Sequence, residues 1–290
     1  MAFWYKLLIM FKGEFEFNLQ EALKSSRDYD ALKYCEAYHT TNEPIENWLP
    51  LTPGDNQRVL TVAASGDQPL MYATAGARHV DTFDVTVNAC VVMDFKTTAL
   101  KRLDYSRYQN VVKALLFLNR LKPDNPITND LYDVIANMPP RTRTLMSGLT
   151  TYRRDVFSKN RTLRLAFPAH NGQYEQMQSA VQKPFNFIWT NLISLSHYIQ
   201  GEYDIINVSN IFDHYFWFMG SVDSIFYTIR DLWPYLRNGG YLVCTTTDNT
   251  CKDYLEMVPN LMPELQARIS TPESTFGYHS FLPVVIQKAR

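Results

Sequence analysis

Hydrophobic and polar positions along the chain alternate between short apolar runs and longer amphipathic stretches. Val59-Leu60-Thr61-Val62 follows the turn signal Pro53-Gly54-Asp55 and reads as a short buried strand. Pro69 stands where a first-turn proline is tolerated, with Asp67 just ahead as a cap. That predicts a helix through Tyr72 that ends at Gly76. His79 to Asp84 reads as a second strand, and Ala89, Val92, Phe95, Ala99 and Leu103 then recur along one helical face. Strand, helix, strand, helix at this spacing predicts a parallel sheet with crossover helices.

After Leu103 the rhythm breaks. Residues 105–183 carry helical segments, a stop at Pro139-Pro140 and an arginine-rich run, and they read as a helical cap inserted into the same domain. Strand signals return at Phe185 to Leu192 and at Tyr203 to Ser209. A helix over "SVDSIFYTIRDLWPYL" is ended by Arg237-Asn238-Gly239-Gly240, and "YLVCTTT" follows as a strand. "ARIS" and "FLPVVIQKA" offer a last antiparallel pair. Residues 1–54 read as an N-terminal helical segment, one helix starting from Ser26 or Asp28, and 55–290 as one α/β domain carrying the 105–183 insertion.

Composition narrows the classes. With 46% hydrophobic and 20% charged residues the chain can bury a core and is not disordered. A net charge of −1 provides no global basic field, so nucleic acid is not expected as a partner. The 18 Tyr, 17 Phe and 5 Trp predict an aromatic core, an aromatic-lined pocket being the other reading. Cys35, Cys90, Cys244 and Cys251 form no CxxC pair and have no His at ligand spacing, which argues against structural zinc and for buried thiols in a reducing, cytoplasmic setting. "MAFWYKLLIMFKGEF" is interrupted by Lys6 and Lys12 and is too short to span a bilayer. It reads as a helix docked on the core. The alternative is peripheral membrane contact through Phe3, Trp4, Leu7 and Leu8.

The stretch "VLTVAASGDQPL" holds the candidate chemistry. In open parallel sheets, ligands bind beyond the carboxyl ends of the strands. The small residues Ala63-Ala64-Ser65-Gly66 allow close approach to the backbone, and the next helix offers free N–H groups. Asp84, ending the second strand, can accept hydrogen bonds from the vicinal hydroxyls of a ribose. The competing reading is that Asp84 only caps the next helix, with Asn88 one turn on. The turn is not GxGxxG, which counts against NAD, and there is no P-loop.

These residues resemble the Rossmann-like class I S-adenosylmethionine-dependent methyltransferase fold, a mostly parallel twisted sheet with helices on both faces. More narrowly, "VLTVAASGDQPLMYATAGARHVDTFDVTVNACVVMDFK" is similar to the family of diacylglycerol 3-amino-3-carboxypropyl transferases of betaine-lipid synthesis, with Ser-Gly-Asp in the turn and an acid at the second-strand end. "NVSNIFDHYFW" resembles their fourth-strand segment with its Asp-His pair. The likeness spans roughly residues 55–104 and 185–245. It departs at the glycines, reduced to Gly66, and at Asn88, four places after the acid where the family more often has Asn two places on.

The resemblance implies S-adenosylmethionine as cofactor and no metal. It places Ser65, Gly66 and Asp67 near the methionine part, Asp84 at the ribose, Asn191 at the adenine edge, and Ser209 and Asn210 on the floor. The same cofactor-binding set takes in Ala64, Val85 and Asn88. Asp213 and His214 become general base and orienter, the other reading of His214 being a packed histidine. The acceptor implied is a small molecule or lipid. The run from Arg141 to Arg164, with seven basic residues and one acid, can hold an anionic group or simply form a solvated helix face. Gly148 and Gly172 are candidate lid hinges. A non-catalytic module binding S-adenosylmethionine or S-adenosylhomocysteine is the rival function. The sequence does not give the oligomeric state.

Overall fold

The computed structural model describes residues 57–115, 124–151, 168, 171–181, 185–213, 223–271 and 282–290. The expected N-terminal helices, the amphipathic segment at the start, His214 and the arginines from Arg153 to Arg164 lie outside these residues.

Seven strands form one sheet: β1 Arg58–Val62, β2 His79–Asp84, β3 Asn186–Trp189, β4 Tyr203–Ser209, β5 Leu236–Thr246, β6 Ala267–Ser270 and β7 Leu282–Lys288. Their order is β3-β2-β1-β4-β5-β7-β6. All neighbours pair in parallel except β7, which runs antiparallel to both β5 and β6. This is the expected Rossmann-like sheet, and the expected tail pair is its antiparallel edge. The order reverses between β1 and β4. In open parallel sheets such a reversal is where a ligand crevice forms, because the chain leaves the two strands toward opposite faces.

Burial on both faces explains why the central β1 and β4 carry consecutive apolar positions rather than a strict alternation. Val59 and Ala63 join one hydrophobic cluster, while Leu60 and Val62 join the cluster on the other side. The first cluster receives α1 Asp67–Thr74, α2 Val87–Arg102, α3 Tyr105–Ala114, α4 Pro126–Asn137, α5 Pro140–Thr151 and α6 Asn171–Ala180. The second receives α7 Asp223–Leu232, α8 Asn249–Glu256 and α9 Val258–Leu261. In α7 the buried residues Ile225, Ile229 and Leu232 make one stripe at helical spacing.

Several local expectations change. Arg237-Asn238-Gly239-Gly240 does not stop a helix but lies inside β5, where Gly239 takes a left-handed φ of 80°. The helix before it already ends at Leu232. The insertion helices α3 to α6 pack into the same core as α1 and α2, through Tyr108, Leu131, Met146 and Tyr174. Arg141 and Arg143, the first two cations of the basic run, are held by the protein. Arg141 grips the buried Asp94 through two nitrogens at 2.7 and 2.9 Å and also donates to the Phe185 carbonyl. Arg143 donates to the Met138 carbonyl at 2.8 Å. Gly148 and Gly172 both sit within helices. Among the described residues no helix is long and apolar enough to cross a membrane.

The amino ends of the strands are locked by charge. Asp81 accepts from Arg58 at 2.6 Å, from the Tyr203 hydroxyl at 2.9 Å and from the Asn186 amide at 3.0 Å. The Arg58 guanidinium stacks 4.3 Å from the Tyr203 ring centroid. One carboxylate thus joins β1, β2, β3 and β4. Burial opposes its ionisation, but the hydrogen bonds from Arg58, Asn186 and Tyr203 outweigh burial and hold it below its ordinary 3.8. A carboxyl depressed in the folded state stabilises the fold above its unfolded value, and that contribution disappears as pH falls through the folded value. Asp81→Asn is therefore expected to cost about 2 kcal/mol at pH 7, with the gap from wild type closing below roughly pH 4, as read by urea unfolding at several pH values.

Candidate functional site

The candidate site is the set of residues at the carboxyl ends of β1, β2, β3, β4 and β5. Two non-glycine residues there hold left-handed backbone, Ala64 after β1 (φ 43°) and Ser209 at the end of β4 (φ 55°). Such residues cost about 1 kcal/mol each and gather where a fold fixes a turn for a purpose. Gly66, the residue before α1, has φ 81°. Asp67 is the first residue of α1 and not its cap, as the sequence suggested.

The small residues of this turn have a cause the sequence reading did not foresee. A Cβ on Gly66 would lie 2.9 Å from the Met93 Cα of α2. The glycine is thus required by helix packing as well as by its φ. Asp67 goes with it. It is wholly buried, with one oxygen 2.5 Å from the equally buried Lys96 ammonium and the other accepting from the Ser65 hydroxyl at 3.0 Å. Burial pulls Lys96 below its ordinary value, and the Asp67 carboxylate opposes that shift. Asp67 and the Ser65 side chain, both expected at a cofactor, are therefore occupied beneath the turn. Lys96 went unnoticed in the sequence. The available signal was a cation among the apolar positions of α2.

Asp84 sits where it was expected, at the tip of β2 beside the β1 turn. Its Oδ2 accepts the Ala64 N–H at 2.9 Å and its Oδ1 accepts the Thr86 N–H at 3.0 Å. Thr86, not Asp84, is the cap of α2, and the Asp84 carboxylate instead joins the exit of β2 to the turn after β1. Burial pushes its carboxyl up to about 6, against the lowering effect of the Thr86, Ala64 and Val85 N–H groups. A carboxylate has about four acceptor positions, so capacity for a further donor remains.

Partly exposed residues at the carboxyl ends of β1 to β4 include Ala64, Val85, Asn88, Asn191 and Asn210. Val85 is 53% exposed, and its carbonyl accepts the Trp189 indole N–H at 2.9 Å. Trp189, at the end of β3, is a rim residue that the sequence reading passed over within a strand. The Asn191 side-chain oxygen accepts the Ser194 N–H at 2.8 Å and so shapes the exit from β3. Below the β4 tip, the Gln68 amide of α1 donates to the Ser209 hydroxyl at 3.3 Å, and Asn207 Oδ1 accepts the Ser209 N–H at 2.8 Å. Amides, hydroxyls and backbone groups dominate this set, which suits the neutral polar edges of a nucleoside.

Asp213, expected as a general base, is wholly buried and bound to the end of β5. It accepts from the Thr246 hydroxyl and from the Thr247 N–H and hydroxyl. Among the described residues, the donors to this carboxylate come from the protein's own β5 exit. Cys90, Cys244 and Cys251 are free, buried thiols, as expected for inert cysteines. Among the described residues no group of three His, Cys, Asp or Glu side chains is arranged to hold a metal ion.

No protein-family model matches the chain, and no curated protein sequence matches it. Solved structures similar to it include the N-methyltransferase NodS from Bradyrhizobium japonicum WM9 in complex with S-adenosyl-L-homocysteine, at 12% identity over 90% of this chain and 98% of that one, with a TM-score of 0.46. Magnesium protoporphyrin IX methyltransferase from Synechocystis PCC 6803 with bound SAM matches at 10% identity over 96% and 87%, with a TM-score of 0.42. An rRNA methylase from Streptococcus thermophilus matches at 12% identity over 85% and 94%, with a TM-score of 0.40.

Two substitutions test the packing beneath the turn. Lys96→Met leaves the Asp67 charge buried and uncompensated, and is expected to cost about 3–5 kcal/mol in chemical unfolding, most of it regained in the Asp67→Asn/Lys96→Met double variant. Gly66→Ala is expected to destabilise by roughly 2 kcal/mol, since the strained φ and the Met93 backbone both oppose a methyl group. A Gly66→Ala protein as stable as wild type would refute the packing account.

Proposed function

We propose that this chain, which has the Rossmann-like class I methyltransferase fold, binds S-adenosylmethionine across its strand tips and transfers a group from the sulfonium to a small-molecule or lipid acceptor. The observation that carries this reading is Asp84, a single acid at the β2 tip hydrogen-bonded to the β1 turn and set in a rim of neutral hydrogen-bonding groups. A ribose diol suits its remaining acceptor positions. Val85 and Trp189 offer apolar surface beside it, and Asn191 and Asn88 offer amides. Ala64, Gly66, Ser209 and Asn210 contribute backbone and small side chains at the β1 and β4 tips.

When bound, the cofactor supplies an electrophilic carbon next to a positively charged sulfur. The protein's share is alignment, which is worth most when reacting atoms are held in line at about 3 Å. A rim of fixed amides and backbone groups provides that without titrating. Enclosure of Asp213 fits a reaction in which the described residues orient the reactants and leave proton removal to the acceptor or to solvent.

The transferred group is a methyl or a 3-amino-3-carboxypropyl group. Ser65-Gly66-Asp67, which carried the likeness to aminocarboxypropyl transferases, is accounted for by packing on α2 and does not choose between them. The by-products do: methyl transfer leaves S-adenosylhomocysteine, and transfer of the longer group leaves methylthioadenosine. A protein that binds the cofactor and forms neither with any acceptor tried is the binding module instead.

The reading is tested by calorimetry with S-adenosylhomocysteine, with NAD as the control. Wild type is expected to bind the first and not the second. A diol donates more strongly to an ionised carboxylate, so affinity should rise as pH is raised through about 6, where Asp84 ionises. In Asp84→Asn that pH dependence should vanish and affinity at pH 8 should fall about tenfold. Binding of NAD alone, or a flat wild-type profile from pH 5 to 8, would sink the assignment.

A further inference from the structure

Asp213 is built into the junction of two strand tips, and every hydrogen bond to its carboxylate described above comes from the far side of that junction. The Thr246 hydroxyl donates to Oδ1. The Thr247 N–H and hydroxyl donate to Oδ2 at 2.8 and 3.0 Å. Burial followed by the Asp213 charge pushes the Cys251 thiol of α8 up to about 12, so it stays protonated.

On its own side, the Asp213 N–H donates to the Asn210 carbonyl at 3.1 Å. Asn210 and the carboxylate therefore ride on one turn, entered through the left-handed Ser209. Across the junction, the Thr246 hydroxyl accepts the Asp248 N–H at 3.0 Å. Asp248 in turn caps α8 through the N–H groups of Thr250 and Cys251. Thr247, directly on the clamp, is exposed.

The sheet ladder does not fix this spacing by itself. β4 and β5 pair Asn207 with Val243 but Ser209 with Cys244, so β4 carries one extra residue just before the junction. Such an irregularity loosens the register where the chain leaves the sheet. The carboxylate then fixes the distance between Asn210 and Thr247.

We propose that Asp213 is a positioning residue that sets the gap between the β4 and β5 tips for the amino-acid end of the cofactor and for the acceptor beyond it. This rests on the nucleoside reading above, in which Asp84 and Asn191 at β2 and β3 hold the nucleoside end. The two ends of the ligand should then respond differently to the clamp. Simple loss of structure would weaken both alike.

The test is calorimetric titration of S-adenosylhomocysteine and of adenosine into wild type, Asp213→Asn and Thr247→Val. Asparagine keeps the size of Asp213 but sets an amide N–H2 against donors. It is expected to weaken S-adenosylhomocysteine about tenfold and adenosine less than about twofold. Thr247→Val, exposed and so tolerated by the fold, removes one donor and should shift the same ratio about threefold in the same direction. It gives the answer even if Asp213→Asn does not fold. Both ligands weakening together, or the ratio staying at its wild-type value in Thr247→Val, overturns the proposal alone. Wild-type protein that binds neither ligand overturns the nucleoside reading and this proposal with it.

Discussion

The close approach of α2 to the turn after β1 is the constraint on which the site depends. Met93 of α2 occupies the space where a Gly66 side chain would be, and Lys96, one turn on, meets Asp67 in full burial. Removing two charges from water is costly, and their attraction offsets it only in a fixed geometry. The pair therefore tolerates one placement of α1 against α2. That placement sets the turn Ala64-Ser65-Gly66, whose backbone carries the left-handed φ values. The Ala64 N–H then meets Asp84 across the gap to β2.

Three acids stand at the tips of β1, β2 and β4, and each has been turned to the protein's own use. Asp67 is occupied by Lys96, Asp84 by the N–H groups around it, and Asp213 by the β5 exit. What they leave at the described rim is a set of amides, hydroxyls and main-chain groups with one acid only lightly exposed. Such groups present hydrogen-bonding direction rather than net charge. Fixed dipoles also need no reorganisation when charge moves in a reacting ligand. The opposite edge of the sheet contrasts with it. There Arg58, Asp81, Asn186 and Tyr203 close on one another and make a structural lock. The amino ends are thus joined by side chains, while the carboxyl ends present the partly exposed groups described above.

The sequence determined a good deal. β2 falls on His79–Asp84 and β4 on Tyr203–Ser209, as the sequence predicted, and the antiparallel tail pair is present. Local pattern suffices for these because β-branched and aromatic residues such as Val80, Phe83, Ile205, Ile206 and Val208 favour buried strands. Asp84 was legible for a related reason: a carboxylate that closes a buried apolar run must be met by hydrogen-bond donors, and a strand tip is where they gather. Tertiary structure alone decided what each polar group faces. Nothing in the local pattern pairs Asp67 with Lys96, Asp213 with Thr246 and Thr247, or Arg141 with Asp94, because their partners lie 29 to 47 residues away and meet only once the helices pack. The same holds for Gly239, which reads locally as a stop and lies inside a strand once β4 and β7 pair on either side of it. Periodicity reports whether a side chain is buried. Only packing decides what it meets there, since a buried polar group must find its partner wherever the fold places one.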